Sequence, residues 1–123
     1  MSNRRKFKRL PIRGFMKAEV GFSHGAKQYQ DIPVLSLSAG GMFIAVDQQL
    51  SADFERGDML SEIRLDLNGL PAMSPAGQIV HQMSLGEIGG CGVEFADLSE
   101  EQVTSIDSYV KKKLVEFGLW DFD

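Results

Sequence analysis

The chain of 123 residues is 43% hydrophobic and 24% charged, the size and balance of one domain with one core. No apolar run approaches the length of about 20 residues that crosses a bilayer, the basic N-terminus has no apolar stretch behind it to make a signal peptide, and a single cysteine, Cys91, excludes an internal disulfide and argues against a structural zinc site. The net charge of −4 is uneven: residues 1–30 hold eight Lys/Arg and one acid, residues 31–123 five Lys/Arg and sixteen acids, so a basic segment precedes a body that repels DNA and RNA. We therefore expect a cytoplasmic protein without a membrane span.

Residues 1–13 show no period and include Pro11, which predicts a flexible, extended basic arm. Phe7 is its only aromatic: it either anchors the arm on the body or stays exposed until something orders the arm. From Phe15 to Phe22 apolar and polar residues alternate, with Met16, Ala18, Val20 and Phe22 on one face, as in a half-buried strand. Ser23-His24-Gly25-Ala26 is a turn, and Lys27 to Leu35 a second strand, with Pro33 favouring an edge or a bulge.

The stretch from Leu35 to Ile44 passes from an apolar strand through Ser36, Ser38, Gly40 and Gly41 into another at Met42–Val46. Ser36 and Ser38 are two apart, so on extended backbone their hydroxyls share a side. The two glycines allow a sharp turn or a close approach to the main chain. By itself this is a strand-turn-strand corner, or a surface that hydrogen-bonds a planar polar ligand.

Asp47 to Asp58 is polar and irregular. Met59 to Leu67 alternates again, Asn68-Gly69 is a hairpin signal, and Pro71 to Met83 is the expected return strand. Glycines at 86, 89 and 90 turn the chain into a sixth strand, Cys91–Phe95. Ser99-Glu100-Glu101-Gln102 is a capping box, and Val103, Ile106, Val110, Leu114 and Phe117 follow at helical spacing, so a helix is expected over about 99–117, with Gly118 as its stop. The tail is apolar at Trp120 and Phe122, and Trp120 is expected to pack on the barrel or on a second subunit. Six short strands and one helix predict an all-β-dominated fold: a small six-stranded antiparallel β-barrel over 14–123, crossed by a C-terminal helix.

Two stretches together resemble the PilZ domain, a bacterial receptor family for the second messenger cyclic di-GMP. Arg5-Lys6-Phe7-Lys8-Arg9 matches its R-x-x-x-R, with Arg4 as a supporting arginine, and Ser36-Leu37-Ser38-Ala39-Gly40-Gly41 matches its (D/N)-x-S-x-x-G except at Ser36. Arg56-Gly57-Asp58, Gly77–His81 and Gly92–Phe95 are similar to later parts of the family. The resemblance implies a cyclic di-GMP-binding adaptor, not an enzyme, that folds its arm over the ligand and signals to an unidentified protein partner in motility, exopolysaccharide or biofilm control, as a monomer or weak homodimer. It implies Arg4, Arg5 and Arg9 as ligands to phosphate and guanine, because a guanidinium fork matches both. Ser36 and Ser38 would receive guanine, and Gly40 and Gly41 would keep the floor clear. His81 stands where the family often has tryptophan; it either stacks a base or only packs on the barrel. No cofactor or metal is implied. The alternative is a PilZ-like interaction module that binds no nucleotide, which Ser36 favours and the arginines, Ser38 and Gly41 oppose. His24, His81 and Cys91 have no partners at catalytic spacing, and the glycines of 86–92 form no dinucleotide fingerprint.

Overall fold

A computed structural model describes residues 7–85 and 88–122. Its strands are β1 (Leu10–Pro11), β2 (Glu19–His24), β3 (Lys27–Ser38), β4 (Gly41–Asp47), β5 (Met59–Leu65), β6 (Gly77–Leu85) and β7 (Ile88–Phe95). A single helical turn, α1 (Gln48–Ser51), and a 17-residue helix, α2 (Glu100–Glu116), complete the regular structure with a 3-10 turn at Trp120–Phe122. Strands β3-β2-β5-β6-β7-β4 pair antiparallel in that order, and β4 pairs back to β3, so the sheet closes into the expected six-stranded barrel.

Alternation fills the inside. Val20, Phe22, Ile32, Val34, Leu37, Met42, Ile44, Ile63, Leu65, Ile79 and Val93 are buried together. Helix α2 adds Ile106, Tyr109, Val110 and Leu114 and packs against β1 and β3. The Ser99 hydroxyl accepts from the Gln102 amide while the Gln102 side chain accepts from the Ser99 amide, so the capping box forms as read. Gly118, at φ +71°, ends the helix: its amide donates to Val115 O and that of Leu119 to Leu114 O, a Schellman pair.

The structure departs from the sequence reading in four places. Leu10 and Ile12, expected in a loose arm, are fully buried; Leu10 and Pro11 pair with Leu37 and Ser36 on β3, and the Ile12 amide donates to Leu35 O. Phe15 begins no strand; its ring stacks on Phe117 of the helix end at 5.6 Å. Residues 71–76 are irregular, so Asn68-Gly69 turns the chain without making a tight hairpin, although Gly69 has the left-handed φ of +96°. Within 47–58 the Asp47 carboxylate caps α1 through the Leu50 amide, and Phe54 is buried against Phe22, Tyr29 and His24.

Asp31 and Glu62 take left-handed backbone (φ 59° and 49°) where the register slips on either side of β2. Each is the extra residue of a β-bulge, the device that bends strands tightly enough to close a small barrel.

Candidate functional site

The outer surface of β3, β4, β7 and β6 is one continuous face, because the residues between the core positions must point outward. Register lays it out in rows. Ser36 lies opposite Phe43, Phe43 opposite Gly92, and Gly92 opposite His81. In the next row Ser38 lies opposite Gly41, Gly41 opposite Glu94, and Glu94 opposite Gln78. A groove of about 1540 Å³ runs over this face. Ser36, Ser38, Gly40, Gly41, Phe43, His81, Met83, Gly92 and Glu94 line it from the sheet, Phe7 and Arg9 from the arm, and Glu100, Val103 and Thr104 from the start of α2.

The serine-glycine corner is held from several directions. The Ser38 hydroxyl accepts from the Gly40 amide at 3.1 Å, and the Gly40 carbonyl accepts from the Phe95 amide at 3.0 Å, tying the turn to β7. A Cβ on Gly40 would lie 3.6 Å from the Phe7 ring, so Phe7 rests on the corner, half-buried against the core rather than exposed. Gly41 answers to the strand behind it: a Cβ there would lie 2.1 Å from the Val93 carbonyl oxygen. The clearance it provides is for β7.

Of the residues implied by the resemblance, Arg9, Ser36, Ser38, Gly40, Gly41 and His81 all border this groove. Arg4 and Arg5 lie outside the described residues. The sequence reading passed over Phe43, Glu94 and Met83. Phe43 lies flat against the sheet: a Cβ on Gly90 would meet its ring at 2.5 Å, and one on Gly92 would lie 3.5 Å from it. Glycines at 90 and 92, alternating along one strand, are the signal that an aromatic ring covers that face.

Beneath the groove Cys91 is fully buried, and burial pushes its thiol up, against a smaller lowering by a hydrogen bond with Gln82. His24 sits away from the groove, paired with Asp58 at 3.0 Å beside the turn that Gly57 (φ +98°) makes before β5. Among the described residues no three His, Cys, Asp or Glu cluster as a metal site would require, and no helix is long and apolar enough to cross a membrane.

A family model for the PilZ domain matches residues 3–112. The chain belongs to the PilZ domain family. Solved structures agree in fold. The Bacillus subtilis inhibitor of motility MotI/DgrA is 14% identical, with a TM-score of 0.79 over 94% of this chain and 53% of its own. The PilZ domain of YcgR from Escherichia coli, solved with c-di-GMP, is 13% identical, with a TM-score of 0.71 over 94% and 98%. The K. pneumonia MrkH–c-di-GMP complex is 11% identical, with a TM-score of 0.78 over 95% and 55%. The chain thus spans about half the length of MotI and MrkH. No match was found among curated proteins.

Proposed function

We propose that this PilZ domain is a receptor for cyclic di-GMP, bound in the groove between the arm and the outer face of β3, β4, β7 and β6, and that it acts without catalysis. The observation that carries the reading is convergence. Arg9 of the first motif and Ser36, Ser38 and Gly41 of the second, nearly thirty residues apart, border one groove. The PilZ domain of YcgR, which shares the fold, is solved with this ligand. In this reading Arg9, with Arg4 and Arg5, meets phosphate and guanine, Ser36 and Ser38 accept from the base edges, and Phe43 and His81 offer faces for stacking. Ligand-bound arm and barrel would then present a new surface to a partner protein; motility, exopolysaccharide or biofilm control, and a cytoplasmic setting, belong to this proposal.

Ser36 is the residue to test. A carboxylate there accepts both guanine N1–H and N2–H, whereas a hydroxyl accepts at one atom and is neutral. The difference is on the order of 1–2 kcal/mol, roughly five- to thirtyfold in affinity. Isothermal titration with cyclic di-GMP should give binding by the wild type and tighter binding by Ser36→Asp. The second reading, an interaction module without nucleotide, is favoured by that same neutral serine and by Glu94 and Glu100 in the groove wall. It wins if neither protein gives heat at about 100 μM ligand, a threshold of roughly −5.5 kcal/mol.

A further inference from the structure

The arm meets the chain's other end. The Lys8 ammonium lies 4.3 Å from the centre of the Trp120 ring and 3.4 Å from the Trp120 carbonyl oxygen. Its neighbours Phe7 and Arg9 line the ligand groove. Lys8 thus touches the C-terminal turn while the residues on either side of it line the groove.

The tail is built to hold still. Gly118 reverses the chain at the end of α2, the Leu119 amide is bonded to Leu114 O, and the Leu119 side chain packs on the core. Trp120 follows at once in the 3-10 turn, 40% exposed, its ring taken up by Lys8. A large ring left that open on an anchored turn has its partner in the cation it faces. Phe7, Lys8 and Arg9 place two contacts in the groove and one on the tail.

We infer that Trp120 is a positioning residue for ligand binding: the C-terminal turn is a post that holds Lys8, and thereby sets Phe7 and Arg9 over the groove before the nucleotide arrives. The contribution to affinity rests on the receptor reading; the contribution to arm order does not. Fixing the arm in advance removes part of the ordering cost that binding otherwise meets. An exposed cation–π contact corresponds to about a two- to fivefold effect.

The test uses the full chain with Trp120→Leu, which keeps apolar bulk and charge, and Trp120→Phe, which keeps a ring face. Without ligand, amide exchange at Lys8, Arg9 and Leu10 should speed about two- to fivefold in the leucine variant and much less in the phenylalanine variant, with the melting temperature nearly unmoved. The Kd for cyclic di-GMP should rise by a similar factor in the leucine variant only. Trp120 is the sole tryptophan, so Lys8→Met should also shift the emission of the ligand-free protein. Unchanged arm exchange in Trp120→Leu overturns the post, and faster exchange with unchanged Kd overturns its part in binding. A wild type that gives no heat with cyclic di-GMP overturns the receptor reading instead, and exchange then decides the post alone.

Discussion

Gly40 and Gly41 are adjacent in the same turn, yet alanine should act on them in opposite ways. At Gly41 a Cβ would lie 2.1 Å from the Val93 carbonyl oxygen and 3.1 Å from both Val93 C and Glu94 Cα. All three are backbone atoms of β7, paired to β4 along its whole length, so nothing can swing aside. Overpacking of this kind costs about 1–3 kcal/mol where side chains can give way. With a rigid strand in the way, the upper end is the expectation, about 3 kcal/mol, or roughly 10 °C of melting temperature for a chain of this size. At Gly40 the nearest atoms are the Phe7 ring at 3.6 Å and Ser38 Oγ at 3.7 Å, ordinary contact, and the backbone is not left-handed. Gly40→Ala should be neutral, or stabilising by about 0.5 kcal/mol through the entropy of the unfolded chain. Thermal melts and urea titrations of both variants make the comparison. If Gly41→Ala melts within about 2 °C of the wild type, the pairing of Gly41 with Glu94 is not as described, and the glycine of the second motif must be explained by the ligand after all.

Three further outcomes follow from the same geometry. Arg9→Ala should weaken cyclic di-GMP binding about ten- to a hundredfold, as the loss of charge-assisted hydrogen bonds of roughly 1.5–3 kcal/mol implies, with little change in melting temperature because Arg9 is exposed. A structural role for Arg9 would appear as a large melting shift. Ser99→Ala should cost about 1 kcal/mol by uncapping α2, measured by urea titration; no change would mean that the capping box is redundant. Cys91 should resist a thiol reagent at pH 8 in the native protein and react once urea unfolds it. Because its thiol is raised in the folded state, its contribution to stability is complete below the ordinary thiol range and declines as pH rises through the raised value, so alkaline urea midpoints should fall in the wild type more than in Cys91→Ala.

The strands whose alternation runs five residues or more were legible, as were the helix and both its ends, because side-chain period and capping chemistry are local. What escaped depends on partners distant in sequence. Leu10 and Ile12 form a period-two pattern of only two members around a proline, too short to distinguish from an arm, and only Leu37 and Leu35 opposite them make a strand. Phe15 extends an apparent alternation but belongs to Phe117, about a hundred residues away. Glu62 gives no sign of its left-handed backbone; barrel curvature imposes it. Of the residues that border the groove, the sequence pointed to the motif serines and not to Phe43, although Gly90 and Gly92 marked the place where its ring would lie.

The site divides its chemistry between two parts of the chain, and the charge asymmetry of the sequence follows that division. The sheet and the start of α2 supply hydroxyls, an aromatic face and two carboxylates, Glu94 and Glu100, to the groove wall. Such a wall repels a dianion at the distances of a bound ligand unless cations intervene. Arg9, set over the groove by the arm, is the cation on the described lining, and Arg4, Arg5 and Lys6 precede it in the sequence. In the proposed receptor, barrel selectivity for guanine edges and arm attraction for phosphate are therefore separable quantities. Salt screens the second over about 10 Å at 0.1 M and leaves short hydrogen bonds to the bases largely intact. Raising salt from 50 to 500 mM should thus lower affinity for cyclic di-GMP markedly while its advantage over cyclic di-AMP, read by the base edges, stays nearly constant. If salt erodes affinity and selectivity together, the arm is reading the bases as well, and Ser36 and Ser38 contribute less to recognition than their position in the groove suggests.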